Sequence, residues 1–81
     1  MADLAYPRTI TSTTTGTLSG NNSWITFLNS GAGACTITFV STGDSFSLPT
    51  LNSLTLPNIG RPYGDITYNA TGTTLVIIHI A

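Results

Sequence analysis

Surface helices are ordinarily built from Ala, Leu, Glu, Lys, Gln and Arg, and this chain lacks three of the six. It has no Glu, no Lys and no Gln, and only two Arg, Arg8 and Arg61. An amphipathic helix would have no material for its solvated face, so the sequence predicts an all-β fold. Thr, a good strand former, fills the gap. Sixteen Thr, eight Ser and six Asn make thirty of the 81 positions short and polar. The apolar share of 41% is nonetheless well above that of a disordered chain.

Period-two alternation locates the strands. In residues 23–28, Trp24, Thr26 and Leu28 face one way and Ile25 and Phe27 the other; Trp24 reads as a core residue. Residues 35–40 place Cys35, Ile37 and Phe39 on one face. Phe46 and Leu48 point inward from residues 45–48, and Leu54 and Leu56 from residues 53–56. Ile66, Tyr68 and Ala70 point inward from residues 65–70. Turn residues separate these runs: Gly20-Asn21-Asn22, residues 29–33, residues 41–44, Pro49 and Pro57. Thr71-Gly72 reads as a two-residue hairpin turn into a last strand over 73–80. Residues 1–8 read as an extended N-terminal arm, because Pro7 biases Tyr6 away from helix. The Thr-rich run 9–18 reads as one solvent-facing strand or an arm laid on a neighbour. The expectation is a single domain, 9–81, folded as a small antiparallel β-sandwich or barrel of six to seven short strands.

Charge and length restrict function. The charged residues are Asp3, Arg8, Asp44, Arg61 and Asp65, 6% of the chain against about a quarter in ordinary soluble proteins. A net charge of −1 with two Arg cannot make the phosphate-neutralising patch that nucleic-acid binding requires. The longest apolar stretch, residues 75–81, is far shorter than the roughly 20 residues of a membrane-spanning helix, so no membrane role is expected. The N-terminus has neither a basic start nor an apolar run and does not read as a signal peptide. Cys35, the one cysteine, cannot form an internal disulfide and reads as a small buried apolar residue.

Nothing in the sequence assembles a catalytic or metal site. His79 has no partner nearby and reads as a satisfied structural histidine. Three Asp with no Glu and no Asp-x-Asp spacing argue against a divalent cation. There is no Gly-x-Ser-x-Gly elbow around any Ser. The expectation is a protein with no catalytic residue, no metal and no cofactor. Arg61 and Asp65 flank Pro62-Tyr63-Gly64 and read as a loop staple, or as a contact to another protein, since Arg and Tyr are typical interface anchors.

The last strand is the strongest hint of function. Val76, Ile78 and Ile80 lie on one face and Leu75, Ile77 and His79 on the other. A sandwich strand in a monomer needs one buried face, so the second face is expected to meet another subunit or a covering arm. The alternative is a central strand covered within its own fold. Small domains without cross-links often gain stability by oligomerising, and without Lys the sheet edges lack the usual guard against pairing. Arg61, Tyr63, Asp65, Leu75, Ile77 and His79 are therefore the candidate protein-interface residues.

Three segments carry a resemblance. Gly-Ala-Gly-Ala-Cys-Thr-Ile-Thr-Phe (31–39), Ser-Leu-Thr-Leu-Pro-Asn-Ile-Gly-Arg-Pro (53–62) and Ala-Thr-Gly-Thr-Thr-Leu-Val-Ile-Ile (70–78) resemble the small all-β head-decoration and spike-base proteins of tailed bacteriophages. These tend to have an early Gly-containing hairpin, a central Leu-Pro turn and a final hydrophobic strand after Ala-Thr-Gly-Thr-Thr. Residues 9–17 and the loop 61–65 have no counterpart. The resemblance implies a non-enzymatic virion component, made in the host cytoplasm, that forms homo-oligomers, often trimers, and binds capsid or tail proteins. The competing expectation is a carbohydrate-binding or adhesin-type receptor-binding module.

Overall fold

Thr13 and Thr14 divide the Thr-rich run into two strands. Ser12 Oγ accepts from the Thr14 amide at 3.2 Å and donates to the Thr14 carbonyl at 3.3 Å, a local turn that competes with strand pairing. The computed structural model describes residues 6–81 and contains eight strands: β1 (Arg8–Ser12), β2 (Thr15–Leu18), β3 (Trp24–Asn29), β4 (Cys35–Phe39), β5 (Ser45–Leu48), β6 (Ser53–Leu56), β7 (Ile66–Asn69) and β8 (Leu75–Ile80). No helix occurs among the described residues. Each half of the divided run carries one apolar anchor. Ile10 of β1 packs against the core, and Leu18 of β2 is buried within it.

All pairing is antiparallel and forms two four-stranded sheets, β1-β8-β3-β6 and β2-β7-β4-β5. The ladders β1·β8, β2·β7, β3·β6 and β4·β5 nest inside one another. The chain is thus one long hairpin, its tip at the β4–β5 turn, wrapped so that successive pairs fall on alternate sheets. This is the topology of the jelly roll, a double-sheet fold of eight strands, and it realises the sandwich rather than the barrel.

The wrapping corrects three expectations from the sequence. The described residues form eight strands instead of six or seven. Thr71-Gly72 does not close a hairpin, because β7 and β8 lie in different sheets. The turn exists, with Thr73 N donating to Ala70 O at 3.0 Å and Gly72 at φ 87°, but it carries the chain from one sheet to the other. The third correction concerns β8. Leu75 and Ile77 point between the sheets and are fully buried within a single chain, so they cannot form an intersubunit face. Ile77 lies opposite Ile10 on one side and Phe27 on the other. That register puts Val76, Ile78 and Ile80 on the outside.

The core is filled by Leu18, Ile25, Phe27, Cys35, Ile37, Leu48, Ile66, Tyr68, Ala70, Leu75 and Ile77. Phe39 and Phe46 extend it, with ring centroids 5.8 Å apart. The inward face of Gly16 is covered by the Tyr68 ring, which supplies the packing that the glycine cannot. Of the predicted arm, residues 1–5 lie outside the described residues; Tyr6 is exposed and Arg8 already belongs to β1.

The two ends of the sandwich differ. One end gathers the turns β1–β2, β3–β4, β5–β6 and β7–β8. Ala70 N donates to Thr14 O at 2.9 Å there, Ser30 N to Thr74 O at 2.9 Å, and Leu51 N to Asn29 O at 2.8 Å. No Asp, Arg or His lies in these turns. The other end gathers the start of β1, the end of β8 and the loops 19–23, 40–44 and 57–65. Arg8, Asp44, Arg61, Asp65 and His79 are all found here.

Candidate interaction surface

The residues predicted to form an interface are brought to three different places. Leu75 and Ile77 are core. Tyr63 is half-buried and staples its own loop, its hydroxyl donating to Pro57 O at 2.5 Å. Its backbone pairs with Asn22: Tyr63 N donates to Asn22 O at 2.8 Å and Asn21 N to Tyr63 O at 2.9 Å. Asp65 accepts from the Gly20 amide at 2.6 Å and is held by that backbone group rather than by Arg61. Arg61 is exposed on the charged end, beside a shallow cleft it shares with Asn21, Asn58 and Ala81.

His79 is half-buried, and its Nδ1 lies 2.8 Å from Asn22 Oδ1. Asn22 is itself buried, and its Nδ2 donates to Ser19 O at 2.6 Å. The amide oxygen therefore faces the ring and Nδ1 carries the proton. A histidine tied in this way fastens β8 to the β2–β3 loop. Among the described residues, no group of three or more His, Cys, Asp or Glu comes together.

Trp24 is not a core residue. The β3 register sends Ile25 and Phe27 inward, so Trp24, Thr26 and Leu28 share the outer face. Trp24 stands opposite Ile80 on β8. With Pro7, Ser23, Asn58 and Ile78 these two residues line an open hollow of about 550 Å³ on the outside of the first sheet. Val76 and Leu28 continue the apolar surface along the strands, and Ile78 and Leu28 are 37% and 39% exposed. The Oγ1 atoms of Thr26 and Thr55 meet at 3.1 Å beside it. Among the described residues, no ionisable one lines the hollow. The sequence signal was the presence of two apolar faces on β8; which of them looks outward was not legible from that strand alone.

The outer face of the second sheet has the opposite character. Its cross-strand rows read Thr15–Asn69–Thr36–Ser47 and Thr17–Thr67–Thr38–Ser45. Here the missing Lys and Glu are replaced by hydroxyl and amide groups that solvate the sheet without charge. The molecule thus presents one neutral hydrophilic face and one neutral face whose centre, on β3 and β8, is apolar and whose edges, on β1 and β6, carry Thr and Ser.

Comparison with protein-family models, curated proteins and solved structures finds no match to this chain.

Proposed function

We propose that this chain is a non-enzymatic structural protein of a virus particle, a head-decoration or spike- or fibre-base component, that works by self-association and by binding other virion proteins. The observation that carries the reading is the outward apolar surface of Trp24, Ile78 and Ile80, in cross-strand rows that contain no charged residue among the described residues. A contiguous apolar patch with polar surroundings is characteristic of an interaction site, and aromatic anchors in hollows dominate protein interfaces. The jelly-roll topology is used by viral capsid domains; this supports the reading as an analogy of fold, which by itself does not assign function. The edge strands β1, β2, β5 and β6 carry no Lys, so partner chains are a natural cover for them. The test is co-sedimentation of the purified protein with tailed-phage particles, together with its mass by light scattering. Saturable binding to particles supports the proposal; an 8.4 kDa species that never binds particles overturns it.

One observation favours a second reading. An exposed Trp beside Ser23 and Asn58 is also a stacking platform for a sugar ring, and jelly rolls include lectin domains. Titration of Trp24 fluorescence with a panel of glycans separates the two. Saturable quenching by one glycan class, without particle binding, favours the carbohydrate-binding module.

A further inference from the structure

Pro7 is itself part of the hollow on the outside of the first sheet, with Ser23, Trp24, Asn58, Ile78 and Ile80. The chain therefore enters the sandwich at the lip of that hollow. Tyr6, the residue before it, is 71% exposed, and a residue preceding proline is biased to extended backbone. The register fixes what lies beyond the lip. Arg8 stands opposite His79 and Trp24 opposite Ile80, so the floor runs from Pro7 at the head of β1, over Ile80 of β8, to Trp24 of β3. Asn58, just past β6, closes the far side. Ser23 and Asn58 also belong to the cleft beside Arg61, so the hollow opens at that side onto a cation.

These positions match the residues that lead into Pro7, Met-Ala-Asp-Leu-Ala-Tyr. Neighbouring strands lie about 4.8 Å apart, which puts Trp24 about 10 Å and Asn58 about 14 Å from the line of β1. At about 3.3 Å per residue of extended chain, Leu4 reaches about 10 Å from Pro7 and Asp3 about 13 Å. A segment laid across the sheet from Pro7 thus brings the leucine over Trp24 and the carboxylate to the Arg61 cleft. The order of chemistry agrees on both sides: an apolar side chain over the apolar floor, then Asp3, the one charged residue before Arg8, against an exposed arginine.

We propose that residues 1–5 lie across the hollow of their own chain, with Leu4 on Trp24 and Asp3 paired with Arg61. Tethering favours this occupant over a separate chain. A segment attached at Pro7 is present at an effective concentration on the order of millimolar, and its docking does not forfeit the translational freedom that association costs. The inference goes beyond the reading above: the surface named there is occupied in the isolated chain, and a partner must displace the arm to use it.

Trp24 is the single tryptophan and reports directly on the hollow. At concentrations where light scattering gives 8.4 kDa, nuclear magnetic resonance of the wild type should show cross-relaxation between the Leu4 methyls and the Trp24 ring. A mixture of labelled and unlabelled chains should show none between chains. Leu4→Ser should shift Trp24 emission to the red and increase its quenching by acrylamide, with the β circular dichroism spectrum unchanged. Leu4→Met keeps the apolar bulk and should retain the wild-type emission. Asp3→Arg should shift the emission as Leu4→Ser does, and adding Arg61→Asp to it should restore the wild-type value. The inference is overturned if Leu4 makes no contact with Trp24, if the contact forms only between chains, if Leu4→Ser leaves emission and quenching unchanged, or if the charge exchange fails to restore the emission. Particle binding by a chain whose Leu4 lies off Trp24 would overturn this contact and leave the virion assignment standing. The contact without particle binding would sustain the inference and remove that assignment.

Discussion

Thr73 Oγ1 donates to Asn29 Oδ1 at 2.6 Å, joining residues 44 apart in the chain. Asn29 is fully buried, and all its side-chain capacity is used. Its Nδ2 donates to Gly33 O at 2.7 Å and to Leu48 O at 2.9 Å, and its Oδ1 also accepts from Gly31 N at 3.2 Å. One amide therefore ties the β3–β4 turn, the end of β5 and the β7–β8 turn. Through its backbone Asn29 also holds the β5–β6 turn that carries Leu51.

Asn29→Ala leaves several buried groups without partners, whereas Thr73→Val leaves Asn29 Oδ1 its contact with Gly31. The expected costs are on the order of 3 kcal/mol for the first and about 1 kcal/mol for the second. Urea midpoints of the two variants check this. A larger shift for Thr73→Val would show that Asn29 is not the hub of that end.

At Gly72 the backbone rather than space is limiting, since a Cβ there meets nothing within 4 Å while φ is 87°. Gly72→Val should therefore destabilise by more than about 1 kcal/mol, and Gly72→Asn by distinctly less, because Asn tolerates the left-handed region. Equal denaturation midpoints for the two variants would count against the turn geometry.

Burial pushes the Cys35 thiol above its ordinary range, with a backbone hydrogen bond acting in the opposite sense. The unfolded chain then loses the thiol proton first as pH rises. The contribution of Cys35 is complete below an ordinary thiol value of about 8.5 and is lost as pH climbs from there through the raised folded value. Stability measured by denaturant should fall over that window in the wild type. In Cys35→Ala the fall should be smaller. Native protein should also react slowly with a thiol reagent. Labelling as fast as in the unfolded chain would contradict the burial.

The two faces of β8 should respond differently to charge. Leu75→Asp buries a carboxylate between the sheets and should cost several kcal/mol, on the order of the whole stability of a domain of this size. Ile78→Asp places its charge on the outer face, so the β circular dichroism spectrum should persist while self-association weakens. Loss of the folded spectrum in Ile78→Asp would show that the outer face contributes to the fold itself.

The sequence alone determined the strand class and most strand positions. Alternation and turn residues are local properties, set by side-chain direction and backbone sterics, so the runs from Trp24 to Ile80 could be read directly. The absence of Lys, Glu and Gln likewise excluded a helical surface before any contact was known. Only the tertiary structure decided which sheet each strand joins and which of two apolar faces is covered. Ser12 and Thr14 split one Thr run between two sheets, and Gly72 makes a crossover in place of a hairpin. The register against Ile10 and Phe27 turns Leu75 and Ile77 inward and leaves Trp24, Ile78 and Ile80 outside. Asn29 reads locally as a turn residue and becomes a hub only when two distant turns, β5–β6 and β7–β8, converge on it. These outcomes depend on partners far along the chain, and a one-residue change of register would exchange the two faces of β8 without altering its own pattern.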